Sequence, residues 1–419
     1  CQAQTTIHFY TVPFKNAYNV QARDLGNDEF MLLFDTYCYT PGSVVIEGCP
    51  RGYYLYRLDA GHDTLWTRHL QLDYPDFRAL LPDETQGKIK VFGALSPESG
   101  TCNDETIWAT NFSGISRPTV HNFDLAGEYL DSAKFTVDDC FLEYRFARRL
   151  PGNRTLFGAQ YFERGSQGPL GYAEARYFVL NAQDETEQSF VYPDKYYFNT
   201  KWTEVDDTTT LIVHYNVKSQ QHEFVKIDQQ GNELWAKPYQ GPPVVVIRNI
   251  QILKNGDIAT LGVYYDNQVR KNLLNRYDPN ANLLWSKEFN NSNATTALGE
   301  LDNGQLIYGE SMWNGASSQD IMLRVLSPDG DSIHAKWYPL SPGIDQIGSI
   351  LAKGNAFYFT GDAYSGLDST FGPSRPFLAF EDAILTNTKE QISDAGSPFT
   401  IVPIRRLIPF KSGIYPLRR

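Results

Sequence analysis

Along this chain, short apolar runs are broken at regular distances by turn-forming dipeptides. Phe30-Met31-Leu32-Leu33-Phe34, Leu211-Ile212-Val213 and Ala356-Phe357-Tyr358-Phe359 are examples. Short apolar and alternating runs bounded by Gly, Asn and Asp predict β-strands, and no amphipathic helical run of useful length interrupts them. The dipeptides are Gly26-Asn27, Gln86-Gly87, Gly152-Asn153, Asp206-Asp207, Asn255-Gly256, Asn303-Gly304 and Gly354-Asn355. Most contain residues that tolerate the positive φ of tight hairpins. In five copies a glycine follows within the strand, at Gly93, Gly158, Gly262, Gly309 and Gly361. A strand glycine marks a bulge or a close approach, and its recurrence predicts that the neighbouring repeat packs there.

A second marker recurs with the first. Asp59, Asp124, Asn181, Asp228 and Asp278 each open a turn, followed in weaker form by Ser327 and Glu381. Such side chains bond their own backbone two residues on. The next strand begins Leu65-Trp66, Leu234-Trp235 and Leu284-Trp285 in the strongest copies, and Ile333 takes the leucine place in the sixth. Each unit therefore reads strand, turn, strand, loop, strand, Asp-turn, strand. Seven units of about fifty to sixty-five residues predict an all-β fold, a seven-bladed β-propeller of four-stranded antiparallel blades over residues 7–400. An ordinary β-sandwich is the alternative. The segment Thr6–Val12 is expected to complete the last blade. Inserts at Tyr37–Arg51, Ser96–Pro118 and Glu163–Glu174 enlarge the first three blades, and such loops carry specificity.

Composition narrows the function. The net charge of −12 disfavours nucleic acid and anionic membrane surfaces as partners of the body. With 26 Tyr and 25 Phe but 3 Met, the chain suits rigid packed sheets. No apolar stretch is long enough to span a bilayer. The sequence begins at Cys1, as a bacterial lipoprotein does after signal cleavage, so residues 1–6 are expected to form a lipidated tether; a fragment boundary is the alternative. Two or three acyl chains on Cys1 anchor a protein stably. The other cysteines are Cys38, Cys49, Cys102 and Cys140. An even number in an exported chain permits disulfides. Proximity favours Cys38–Cys49 and Cys102–Cys140, with other pairings and reduced thiols left open.

Catalytic and metal chemistry finds little footing. The histidines His8, His62, His69, His121, His214, His222 and His334 show no zinc-type spacing. There is no nucleophile elbow, P-loop or dinucleotide fingerprint, so no catalytic residue, metal or cofactor is assigned. Asp278-Pro279-Asn280 and Asp329-Gly330-Asp331 are oxygen-rich, but the distal Glu of an EF-hand is missing and turn chemistry accounts for them. The run Tyr192, Tyr196, Tyr197, Phe198 and Trp202 reads as core aromatics, with a sugar-stacking platform as the second reading. Residues 401–419 carry Arg405, Arg406, Lys411, Arg418 and Arg419 with no acid, spaced by Pro403, Pro409 and Pro416. A basic, Pro-spaced tail on an acidic chain reads as an arm that docks on a partner, on lipid or on its own propeller.

The pattern D-x-x-G-x-x-L-W, held by Asp228–Trp235 and, with Gly61 one place early, by Asp59–Trp66, resembles the Trp-bearing repeats of pyrroloquinoline-quinone-like propellers, among them BamB-type outer-membrane lipoproteins. It is also similar to the repeats of exported Bacteroidota propellers. Trp is absent at this position in the second, third, sixth and seventh copies. No quinone-site residue transfers, so no quinone cofactor follows. The resemblance implies a lipid-anchored, non-enzymatic scaffold or accessory subunit of an outer-membrane complex in transport, secretion or barrel assembly. No acidic run follows Cys1, which leans towards the periplasmic face. A surface glycan- or ligand-binding propeller is the alternative reading, and a channel-mouth lyase or hydrolase the third. Bacteroidota-type O-glycosylation triplets are also present at Asp63-Thr64-Leu65, Asp131-Ser132-Ala133, Asp207-Thr208-Thr209, Asp331-Ser332-Ile333 and Asp368-Ser369-Thr370.

Overall fold

The computed structural model describes residues 5–10, 17–26, 29–36, 52–71, 79–83, 86–95, 117–134, 142–162, 173–192, 195–216, 219–241, 246–267, 269–290, 296–314, 318–354, 356–364, 374–382 and 400–402. Every regular element among them is a strand. Thr5–Phe9 is β1. Blade one comprises Ala17–Gly26, Glu29–Thr36, Gly52–Leu58 and Thr64–Gln71 (β2 to β5). Blade two is Ala79–Asp83, Lys88–Leu95, Arg117–Asp124 and Tyr129–Lys134 (β6 to β9). Blade three is Leu142–Leu150, Arg154–Phe162, Ala173–Leu180 and Thr186–Tyr192 (β10 to β13). Blade four is Lys195–Glu204, Thr209–Asn216, Gln221–Asp228 and Glu233–Pro238 (β14 to β17). Blade five is Val246–Ile252, Ile258–Asp266, Val269–Tyr277 and Leu283–Asn290 (β18 to β21). Blade six is Thr296–Glu300, Leu306–Asn314, Ser318–Leu326 and Ser332–Tyr338 (β22 to β25). Blade seven has Asp345–Lys353, Ala356–Tyr364 and Ser374–Asp382 (β26 to β28), and Thr400–Val402 is β29.

In blades one to six the strands follow chain order within each sheet, and this is a seven-bladed β-propeller. Blade seven takes its fourth strand from the N-terminus: β1 pairs antiparallel with β28, Ile7 opposite Ala379 and His8 opposite Leu378. The place of Thr6–Val12 before the first repeat predicts this. It does not predict β29, which runs parallel to β1 as a fifth strand with Ile401 beside Ile7. The first residues of the expected tail thus belong to the sheet, where they meet the free backbone groups of an edge strand.

The chain gathers into two compact units. One spans Cys1–Leu72 and Phe289–Arg419, with blades one, six and seven; the other spans Asp73–Glu288, with blades two to five. In the first unit Phe30, Leu32 and Tyr56 of blade one pack with Tyr358 and Leu378 of blade seven. Ile307, Ile321 and Leu323 of blade six pack with Ile347, Phe359 and Phe377. In the second, Leu211, Val213 and Phe224 of blade four meet Ile247, Ile258 and Leu273 of blade five. A blade's middle strands are buried on both faces, so they read as continuous apolar runs. Ile258–Tyr264 is buried at every residue.

The Asp-turn is the recurring local device. Asp59 Oδ1 accepts from the amides of Gly61 and Asp63 at 2.9 Å, and Asn181 Oδ1 from Gln183 and Glu185 at 2.9 Å. Asp228 does the same to Gln230 and Asn232 at 2.8 Å, and Asp278 to Asn280 and Asn282 at 2.9 Å. Asp124 holds the Glu128 amide and Ser327 Oγ that of Asp331. The fourth residue of each turn is left-handed: His62, Gly127, Asp184, Gly231, Ala281 and Gly330.

That fourth position faces the preceding blade wherever its contacts are described. The His62 ring meets His8 and Tyr358 of blade seven at 5.0 and 5.4 Å. Asp184 forms a buried ion pair at 2.6 Å with Lys90 of blade two and accepts from Asn122 at 2.9 Å. Ala281 joins the Phe224 cluster. At Gly231 the ring of Phe190 lies where a side chain would begin, 1.9 Å from a Cβ position.

Two markers behave differently from expectation. Asp206-Asp207 has no positive φ. Asp206 instead caps the amides of Thr208 and Thr209 at 2.8 Å, and the buried guanidinium of Arg148 in blade three takes the carbonyls of Asp206, Asp207 and Thr209. Glu381 opens no turn. It lies inside β28, buried, and accepts from Tyr338 Oη at 2.6 Å and Lys336 Nζ at 2.7 Å. The fourth strand of blade seven comes from the N-terminus, so β28 is not joined to its neighbour β1 by a hairpin. Of the strand glycines, Gly158, Gly262 and Gly361 sit opposite bulges at Phe146, Ile247 and Ile347. Gly309 is the neighbour-blade case: a Cβ there would fall 2.3 Å from Ile347.

Buried ionisable groups set the pH response. Burial holds His69, His121 and His222 down at about 4. The unfolded chain binds protons these rings refuse, so their contribution is present above about 6.5 and is lost as pH falls. Asp345 has the opposite sign. Burial, with the charge of Asp320 adding to it, raises Asp345 to about 7 despite the Ser341 hydroxyl and the Leu340 and Ser341 amides it accepts from. Its contribution is full below about 4 and is lost as pH rises through about 7. Urea titrations at pH 5 and pH 8 are expected to show wild type losing about 2–3 kcal/mol relative to Asp345→Asn over that interval. Parallel pH dependence of the two proteins would mean that this carboxyl titrates normally.

Gly231→Ala must both enter the left-handed region and displace Phe190. Gly87, at φ 62°, has no described atom within 4 Å of a Cβ. Denaturant unfolding should place Gly87→Ala about 1–2 kcal/mol below wild type and Gly231→Ala a further ~1–3 kcal/mol lower. Equal losses would show that blade contact at Gly231 contributes nothing.

Candidate functional site

Cys1, Cys38, Cys49, Cys102, Cys140, Arg405, Arg406, Lys411, Arg418 and Arg419 lie outside the described residues. The connections bearing the four later cysteines join β3 to β4, β7 to β8 and β9 to β10. In an up-and-down sheet these leave their blade at the end opposite its two hairpin turns. Of the aromatic run, Trp202 has a described side chain, and it packs against a core of Ile212, Val225 and Leu156.

The described residues bring no three His, Cys, Asp or Glu side chains together as a metal site. His214 and Glu223 of blade four approach to 3.3 Å, with Asn216 donating to Glu223 at 2.6 Å. His222 beside them is ringed by Tyr215 and Tyr239 at 5.4 and 6.3 Å. These contacts tie β15 to β16.

The fourth strands present a repeated surface. The sixth residue after each turn-opening residue is exposed and apolar in five blades: Leu65 47%, Leu130 45%, Leu234 51%, Leu284 53% and Ile333 41%. In blade three the place is held by exposed Glu187. The next residue turns inward. Trp66 and Trp235 are half-buried, with Arg68 and Lys237 over their rings at 5.6 and 5.8 Å. The Leu-Trp pair therefore splits, tryptophan to the blade and leucine to the outside. In blades one to six the fourth strand is the last in its sheet; in blade seven β29 covers it.

The other unexplained feature lies at one end of blade five, and sequence reasoning missed it. Arg248 is the extra residue of a bulge, between Ile247 opposite Gly262 and Asn249 opposite Leu261. Arg270 sits directly opposite Tyr265, itself 56% exposed. Nε of both arginines and Nη2 of Arg270 are buried with no hydrogen-bond partner among the described residues. Burial lowers the pKa of Arg248, the charge of Arg270 lowers it further, and Tyr265 opposes both. The next residue along, Lys271, differs: Asp266 holds it at 2.7 Å and Glu288 at 3.3 Å. Nothing in the local sequence marks the two arginines, because a bulge is not written in the spacing.

No protein family matches the chain, and no curated protein does. Solved structures of similar fold include a protein of unknown function from Dyadobacter fermentans, at 9% identity and TM-score 0.48, covering 90% of this chain and 98% of that one. The acylaminoacyl peptidase of Pyrococcus horikoshii is similar at 12% identity and TM-score 0.47, over 87% of this chain and 51% of that one. The NanB sialidase of Streptococcus pneumoniae is similar at 11% identity and TM-score 0.44, over 88% and 68%. At these identities the likeness speaks to the fold alone and carries no functional argument.

Proposed function

We propose that the protein is a non-enzymatic docking subunit of an outer-membrane complex whose partner adds along the outer edges of the blades. One observation carries this reading: the chain's own Thr400–Val402 already adds a strand to the edge of blade seven. The other blades end in a fourth strand with no further strand beside it among the described residues. Such edges are templates for another chain, and natural proteins usually blunt them with charge. Here five carry an exposed Leu or Ile at one shared position. Strand addition takes its affinity from backbone bonds and its specificity from alternate side chains. The outer-membrane setting comes from the resemblance to BamB-type lipoproteins.

A photoreactive amino acid at Leu234 or Leu284, introduced in cells that make the protein natively, should cross-link one and the same envelope protein. The same group at exposed Lys254, on a hairpin turn, should not. Leu234→Glu with Leu284→Glu should abolish co-purification of that partner in mild detergent while leaving the melting temperature within a few degrees. A protein that runs alone in detergent and cross-links to nothing at either position would overturn the docking role.

A further inference from the structure

β1 completes blade seven, and a pair of histidines joins it to blade one. His8 stands on β1, opposite Leu378 of β28 on one side and Val402 of β29 on the other. It is buried. His62 is the left-handed residue of the Asp59 turn in blade one. The two rings meet edge to face, with 5.0 Å between their centroids. The seam around them is aromatic. The His62 ring lies 5.4 Å from Tyr358 and 5.6 Å from Phe30, and those two rings are 4.5 Å apart. Tyr10 Oη donates to the His62 carbonyl at 3.3 Å.

The backbone goes out of its way to place a histidine here. In blades two, four and six a glycine holds the fourth place of the turn, at Gly127, Gly231 and Gly330. Blade one also has a glycine, Gly61, but one place early, and His62 itself is held at φ 65°. A side chain kept in a strained conformation points to a use for that side chain. A neutral imidazole packs as a flat ring. A charged one must give up hydration to stay in the seam, and a second imidazole at this distance repels it once both carry protons.

The surrounding charges leave that response in place. Leu378 lies opposite His8 on β28, and β27 contributes Tyr358. The phenols of Tyr10 and Tyr56 are pushed up by burial and stay neutral. On the blade-one turn, Asp59 Oδ1 is committed to the amides of Gly61 and Asp63. Lys353 of β26, 6.0 Å from the Phe30 ring, pairs with Asp24 at 3.3 Å. Burial holds His8 below the ordinary histidine value, and the charge of exposed Asp63 opposes this without reversing it. The contribution of neutral His8 is therefore present above about 6.5 and is lost as pH falls.

We propose that His8 and His62 form an acid-sensitive latch: protonation of the pair parts β1 from the turn of blade one and loosens the N-terminal strand, with β29 beside it, while the blades stay folded. The latch is independent of the docking role of the outer strands.

The test is hydrogen–deuterium exchange by mass spectrometry on the full chain at pH 7.5 and pH 5, with each rate divided by the intrinsic rate at that pH. In wild type the protection of Thr5–Phe9 should fall about tenfold or more in acid, while Ile258–Tyr264 of blade five changes by less than about threefold. His8→Phe keeps a ring in the seam that takes no proton, and its β1 should lose less than about threefold over the same interval. His62→Asn, which accepts the left-handed backbone, should flatten the acid response in the same way from a lower starting protection. Where one variant fails to fold, the other carries the comparison with wild type. The proposal is overturned if wild-type β1 is equally protected at both pH values, if β1 and blade five lose protection together, or if β1 of either folded variant responds to acid as wild type does.

Discussion

Much of the architecture depends on how one side-chain oxygen fixes the turn after the third strand of blades one to six. An Asp, Asn or Ser oxygen collects backbone amides ahead of it, which forces the fourth residue of the turn into the left-handed region. That residue is then aimed at the preceding blade. The turn settles two levels of structure together: it reverses the chain within a blade, and it supplies a contact to the preceding sheet. Chemistry at the fourth position varies widely, from the bare glycine under Phe190 to the buried Asp184–Lys90 pair and the aromatic company of His62. The geometry is constant while the interaction is free to differ. This explains how repeats with so little identity to one another build similar blades.

The same device explains which parts of the fold were legible. Turn dipeptides and Asp-turns are local, so their residues announce themselves in sequence, and with them came the blade count, the strand order and the N-terminal strand of blade seven. Glu381 was misread because it occupies the Asp-turn place in the repeat count while its strand pairs with β1 from the other end of the chain. Asp206 marks a turn as expected, but a distant arginine, Arg148, holds it without the positive φ found elsewhere. The candidate site was not legible. Arg248 stands on a bulge and Arg270 opposite Tyr265, and neither position is written in the spacing. A charge reads as solvated surface until its neighbours are known.

Polar groups inside the blades divide into those satisfied by design and those held against a cost. Glu381 takes a lysine and a tyrosine, and Arg148 takes three carbonyls, so burial is compensated in both. Asp345 is compensated by staying protonated near neutrality, and the buried histidines by staying neutral. For Arg248 and Arg270, Nε has no hydrogen-bond partner among the described residues.

The pairing of β1 with β28 has a consequence for how the protein is made. Thr5 lies opposite Glu381, so nearly the whole chain separates two residues that share a sheet. A ribosome or a translocon delivers the N-terminus first, and that strand emerges with no partner in existence. It must remain extended and unpaired while blades one to six assemble behind it, since native contacts between such distant segments form slowly. The last blade is therefore a record of completed synthesis: a chain cut short before Ser374 presents β1 as a bare strand, open to pairing with another molecule. Whatever keeps this segment masked until the C-terminal third arrives would govern the yield of folded protein more than the stability of any single blade.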